Sequence, residues 1–193
     1  MAKHPAARMK KRRAGAASRN GAGGALRLVF PQKRIQNRVH EIATQINRDY
    51  KGQTLHVVGI LENCFLFMAD LVRALKMPVI CHFMKAVIRD TREGRVAIRE
   101  IMYTPRIEAN GKHILLVDGI LQSGVTLDHL VRYMLGQNPS SVRTALFIEK
   151  VDERKVAVAT DYVAFRSTQR FLVGYGLGLE DKYRHLPYVA RLG

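Results

Sequence analysis

The chain has 193 residues, 47% of them apolar, with 32 Lys and Arg against 16 Asp and Glu for a formal net charge of +16. That size and apolar content suit one globular domain with a substantial core, and no stretch approaches the ~18 consecutive apolar residues of a membrane span. The seven histidines show no ligand spacing, and Cys64 and Cys81 lie in apolar surroundings. Neither zinc nor a disulfide is expected, and both cysteines read as small core residues.

The positive charge is unevenly placed. No acid precedes Glu41, and residues 1–26 hold seven Lys or Arg, including Lys10-Lys11-Arg12-Arg13, among Ala and Gly. Such a segment buries too little apolar surface to offset its ordering entropy, so 1–26 is expected to be a disordered basic arm ahead of a single domain over 27–193. Three uses suit it: an arm for nucleic acid or another polyanion, a solvated tail, or an acid-free, Arg-rich transit peptide, although Ser is scarce. Without a span or a disulfide framework the protein is expected to be cytoplasmic. The rest of the chain keeps about +9, which suits a phosphate-rich ligand.

In chain order, Leu28-Val29-Phe30 reads as an edge strand or an approach to the helix that follows. From Gln32 to Tyr50, Ile35, Val39, Ile42, Ala43 and Ile46 form an amphipathic helical stripe. Leu55 to Leu61 reads as a buried strand, Cys64 to Leu75 as a helix and Pro78 to Met84 as another strand. Phe65, Phe67 and Met68 on that helix face either the core or an oligomer interface. Lys85 to Gly94 is polar and charged, a loop or hairpin, before an alternating strand from Arg95 to Tyr103. Ile114 to Asp118 is apolar up to a terminal acid, as in a strand buried on both faces. A helix carrying Leu127, Leu130, Val131 and Met134 follows, then a buried strand from Val142 to Ile148. Val156 to Ala159 and Tyr162 to Phe165 are short apolar runs. Arg170 to Gly174 leads into a Gly-rich segment, and Glu180 to Gly193 reads as a turn of helix and a closing strand. Strands alternating with helices predict an α/β fold, an open, mainly parallel sheet with helices on both faces. Ligands of such sheets sit outside the carboxyl ends of the strands.

Gln122-Ser123-Gly124-Val125-Thr126 occupies that position. A strand, a tight Gly-containing loop and a helix N-terminus form a cradle for an anion, with phosphate the natural guest. The simpler alternative is an ordinary turn in which Ser123 caps the helix.

Val117-Asp118-Gly119-Ile120-Leu121-Gln122-Ser123-Gly124-Val125-Thr126-Leu127 resembles the phosphoribosyl-pyrophosphate (PRPP) loop of the type I phosphoribosyltransferases. From about Leu28 onward the chain resembles bacterial hypoxanthine-guanine phosphoribosyltransferases. Ile46 to Tyr50, Phe67 to Leu71, Phe171 to Leu177 and Tyr183 to Tyr188 carry the likeness. The resemblance implies a mostly parallel sheet with a small hood, and transfer of ribose 5-phosphate from PRPP to a 6-oxopurine, giving IMP or GMP and pyrophosphate. It also implies magnesium as cofactor and a dimer or tetramer. By the same resemblance Ser123, Gly124, Val125 and Thr126 hold the 5-phosphate. Phe171 stacks on the purine, Lys150 donates to its exocyclic oxygen, the Leu172 backbone meets its edge, and Arg184 lies near pyrophosphate. Taken singly, Phe171 would suit core packing and Lys150 a solvated strand end.

Other positions depart from the family pattern. Two consecutive acids are replaced by Asp118-Gly119, leaving Asp118 alone for the ribose hydroxyls and, weakly, for magnesium. The acid near purine N7 is Gln122, which hydrogen-bonds but exchanges no proton near neutral pH. A magnesium-side Asp is Gly178. The Lys-Gly pair that binds pyrophosphate is Glu62-Asn63, and Lys85 to Gly94 lacks the Ser-Tyr pair of the catalytic lid. The phosphate and purine contacts survive while the reacting centre is changed. This favours a homologue that binds IMP, GMP or PRPP with transfer weak or lost. The alternatives are an active purine salvage enzyme and a nucleic-acid-binding regulator that uses the basic arm.

Overall fold

A computed structural model describes residues 25–90, 96–104 and 107–193. The elements are β1 (Leu26–Phe30), α1 (Gln32–Asp49), β2 (Leu55–Leu61), α2 (Phe65–Ala74), β3 (Val79–Asp90), β4 (Val96–Thr104), β5 (His113–Leu121), α3 (Val125–Leu135), β6 (Ser141–Lys150), β7 (Tyr162–Ser167), β8 (Leu172–Val173) and β9 (Val189–Leu192). Six strands form one sheet in the order β4-β3-β2-β5-β6-β7. All neighbours are parallel except the edge strand β4, which runs antiparallel to β3. A small antiparallel sheet, β1-β9-β8, supplies the hood.

The alternation of β5 shows why helices cover both faces. Leu115 and Val117 pack with Ile35, Val39, Ile42 and Ile46 of α1 and with Phe67, Met68 and Leu71 of α2. Ile114 and Leu116 point the other way, against Leu127, Leu130 and Met134 of α3. Each fully buried side chain of this size contributes about 1.5–3 kcal/mol of transfer free energy, so the two cores fix the carboxyl edge of the sheet. Phe30 stacks on Phe165 with centroids 4.2 Å apart, and Phe147 packs against both Phe165 and Tyr175, which ties the hood to the sheet.

Two expectations are corrected and two open ones are decided. Residues 85–90 take the hairpin alternative: β3 continues to Asp90 because β4 satisfies its outer edge, with Lys85 opposite Met102 and Asp90 opposite Val96. The last part of that segment, 91–94, lies outside the described residues, as do position 95 of the expected next strand and residues 1–24 of the arm. Cys81 is exposed and is no core residue, whereas Cys64 is buried and its thiol is pushed up to about 12 by burial. Of the three residues left open between core and interface, Phe67 and Met68 belong to the core and Phe65 is 40% exposed. No helix forms over 180–188, where Glu180, Asp181 and Tyr183 take positive φ angles that break helical geometry. Among the described residues no helix is long and apolar enough to cross a membrane.

Candidate functional site

Parallel register brings the candidate residues to one edge. Leu61 pairs with Lys85, Leu121 with Glu149 and Lys150 with Ser167, so the ends of β2, β3, β5 and β6 open onto the same surface. β5 runs three residues past Asp118, because Ile120 and Leu121 still pair with Ile148 and Glu149. Two adjoining cavities lie there. One, of about 200 Å³, is walled by Leu61, Asn63, Asp118, Gln122, Ser123, Gly124 and Thr126. The other, of about 310 Å³, is walled by Asn63, Gln122, Lys150, Glu153, Phe171, Leu172 and Gly178. Asn63, Ile120 and Gln122 border both.

The first cavity ends on the N-terminus of α3. Gly124 is the N-cap at φ 86°, a left-handed conformation that favours glycine, and a Cβ there would stand 2.7 Å from the Val156 carbonyl. Ser123 makes no capping bond at that position; the Val125 N–H reaches its Oγ only at 3.4 Å. The first-turn N–H groups of α3 have no intrahelical acceptors and face an anion with the positive end of the helix. The loop is held from behind, since the Lys155 and Val156 N–H groups donate to the Ser123 carbonyl at 2.9 and 3.0 Å. The Val156 to Ala159 run therefore braces the cradle and is not a strand. Arg154 anchors this brace, donating to the Val158 carbonyl and to the buried Glu149 carboxylate, which Arg166 also meets. No sequence motif pointed to Arg154 or Glu149: Arg154 meets Val158 and Glu149, four and five residues away, where the chain turns after β6, and Arg166 meets Glu149 because β7 pairs with β6.

In the second cavity Phe171 is 65% exposed, with its ring free to receive another ring. Lys150 is buried, its side chain 2% exposed, and its Nζ donates to Glu153 at 2.7 Å. A buried ammonium without an acceptor is strongly unfavourable, so Glu153, overlooked in the sequence, completes this wall. The Leu172 backbone enters β8 beside it.

The junction between the cavities gathers Gln122, Asp118, Gly119 and the Glu62-Asn63 corner. Gln122 is exposed there. Asp118 is partly buried in the cavity wall, and burial pushes its carboxyl up to about 7 although the Gly119 and Ile120 N–H groups act in the opposite direction. A Cβ on Gly119 would lie 2.3 Å from the Asn63 carbonyl oxygen, so the corner after β2 fills the space beside β5. Glu62 accepts from Lys85 at 2.6 Å, and Lys85 holds its carboxyl below the usual range. Arg184 donates to Asn63 Oδ1 at 2.6 Å and to Glu62 at 3.3 Å. The structure thus gathers every residue singled out in the sequence at this edge. Asp118 is the one carboxyl among the described residues that lines the first cavity, so a magnesium ion there would be held by that carboxyl together with ligand oxygens and water.

Residues 29–178 match the phosphoribosyl transferase domain family. The hypoxanthine-guanine phosphoribosyltransferase of Dictyostelium discoideum is 37% identical over 169 residues, covering 86% of this chain and 94% of that protein. A crystal structure of a hypoxanthine-guanine phosphoribosyltransferase from Bacillus anthracis is similar at 31% identity and TM-score 0.77, over 86% of this chain and 98% of that one. A point variant of the Trypanosoma cruzi hypoxanthine phosphoribosyltransferase, complexed with the product IMP, is similar at 29% identity and TM-score 0.81, over 91% and 95% of the two chains. The chain belongs to the type I phosphoribosyl transferase family and is similar along most of its length to hypoxanthine-guanine members of it.

Proposed function

We propose that this protein binds a purine nucleoside 5′-monophosphate across the two cavities and that its ribosyl-transfer activity is weak or lost. The carrying observation is the junction, where Gln122 and Asn63 border both cavities beside Asp118, so that among the described residues the polar side chains there are two amides and one carboxyl. An amide neither gives nor takes a proton at neutral pH, and a single carboxyl offers little charge to organise a leaving pyrophosphate. The ground-state contacts have no such defect. The α3 N-terminus and Ser123 suit the 5′-phosphate, Asp118 the ribose hydroxyls, and Phe171, Lys150 and the Leu172 backbone the purine. The complex of the Trypanosoma cruzi relative with IMP supports the ligand class.

The direct test titrates the full chain with IMP and GMP by calorimetry, with and without magnesium, and assays the same sample for nucleotide formation from PRPP and hypoxanthine. Binding that is indifferent to magnesium, without turnover, is the expected result. Within this reading Phe171→Ala weakens IMP binding by about 3- to 10-fold, the range of an aromatic stacking contribution. Because that ring is 65% exposed, the melting temperature stays unchanged. An equal loss of stability would make Phe171 a packing residue instead.

The titration of Asp118 near 7 favours a second reading, an active salvage enzyme in which that carboxyl replaces the missing acid. It requires clear turnover whose rate follows one ionisation near pH 7 and disappears in Asp118→Asn.

A further inference from the structure

Among the described residues, Lys85 and Arg184 are two cations bonded at the Glu62-Asn63 corner, and both are already engaged. Register places Lys85 opposite Leu61, immediately before Glu62. Its Nζ donates to Glu62 Oε1 at 2.6 Å, and Arg184 donates to the other oxygen, Oε2, at 3.3 Å. Arg184 is further spent on Asn63 Oδ1, the Gly176 carbonyl at 2.9 Å and Asp181 at 3.4 Å. Two cations and two carboxylates make a cluster of no net charge. Gly178 completes the arrangement, because a Cβ there would stand 2.8 Å from Arg184 Nε, so the guanidinium lies where any larger residue would sit.

We infer that Glu62 acts as an internal stand-in for pyrophosphate, making the pocket selective for purine nucleoside monophosphates over ligands that carry a pyrophosphate. This rests on the nucleotide reading above. A pyrophosphate entering here must break the pairs of Lys85 and Arg184 and then share their field with a displaced carboxylate. A 5′-monophosphate meets neither cost, because its cradle on α3 uses backbone N–H groups and Ser123 and no member of the cluster. Glu62 therefore determines which ligand is excluded, without touching the one that binds.

The test titrates the full chain and Glu62→Gln with inorganic pyrophosphate, PRPP and IMP, each with and without magnesium, and checks both proteins by thermal melting. Glu62→Gln is expected to tighten pyrophosphate and PRPP by about tenfold or more, the scale of one charge-assisted contact, while IMP binding changes less than about twofold. Glu180→Gln is the control: it removes a neighbouring exposed charge that does not touch Arg184, and it should change neither. PRPP binding as tight as IMP in the wild type overturns the inference without any variant. So does a folded Glu62→Gln with unaltered pyrophosphate binding, or an equal gain in Glu180→Gln. If pyrophosphate gains in Glu62→Gln while IMP binds neither protein, the clamp stands and the nucleotide reading falls.

Discussion

Gly119→Asp, the change that would restore the second acid of the family loop, is expected to damage the fold and not to rebuild a catalytic site. The new Cβ would meet the Asn63 backbone at 2.3 Å to the oxygen and 2.5 Å to the carbonyl carbon, and the Asn63 Cβ at 2.7 Å. Overpacking of this kind costs about 1–3 kcal/mol, a fall in melting temperature of roughly 2–12 °C for a chain of this size. Because the collision begins at Cβ, Gly119→Ala should cost nearly as much as Gly119→Asp, which separates steric from electrostatic damage. Adding Asn63→Gly relieves only the Cβ contact and recovers part of the loss. It follows that Gln122→Asp with Gly119→Asp should leave transfer from PRPP to hypoxanthine within about tenfold of the wild type, since groups that act as a unit are not regained singly. A double variant that melts like the wild type and turns over a hundred times faster would show that the Asn63 corner yields easily.

That corner also marks how far the sequence could be read. The stripe of Ile35, Val39, Ile42, Ala43 and Ile46 gave α1 almost to its ends because helical periodicity is local. β2 and the start of β5 were legible for the same reason. The end of β5 was not: Asp118 and Gly119 break the apolar run, and only pairing with β6 carries the strand to Leu121. The edge hairpin was legible only as one of two alternatives for Lys85 to Gly94, and the pairing of β3 with β4 decides between them. In the site, the Gln122 to Thr126 loop and the candidate residues Glu62, Asn63 and Gly178 were visible in chain order. What they touch was not. Glu62 meets Lys85 23 residues away and Arg184 122 residues away, separations that no short pattern encodes.

Asp118→Asn should stabilise the protein at neutral pH and flatten its stability profile. The folded carboxyl titrates near 7, whereas its ordinary value is 3.8. Between those values the folded chain retains a proton that the unfolded chain has lost, so this group's contribution is fully present below about 4 and falls as pH rises to about 7. At about 1.4 kcal/mol per pK unit, and allowing for the carboxyl's partial exposure, the variant should gain on the order of 2–3 kcal/mol at pH 8. That corresponds to a rise in melting temperature of roughly 4–12 °C. At pH 4 the two proteins should melt together. His56 and His82 are held below the ordinary histidine range, chiefly by burial, and act in the opposite direction as pH falls below about 6.5. They are common to both proteins and cancel in the difference. The amide can still accept the N–H groups of Gly119 and Ile120, so the variant isolates the charge. A ligand whose hydroxyls donate to Asp118 favours the ionised form. Binding of IMP at pH 7 should therefore release more protons from the wild type than from Asp118→Asn, whose release is that of the ligand's own phosphate, measured as the dependence of binding heat on the buffer's ionisation enthalpy. Equal proton release from both proteins would place the ribose away from Asp118 and would undo the role given to that carboxyl.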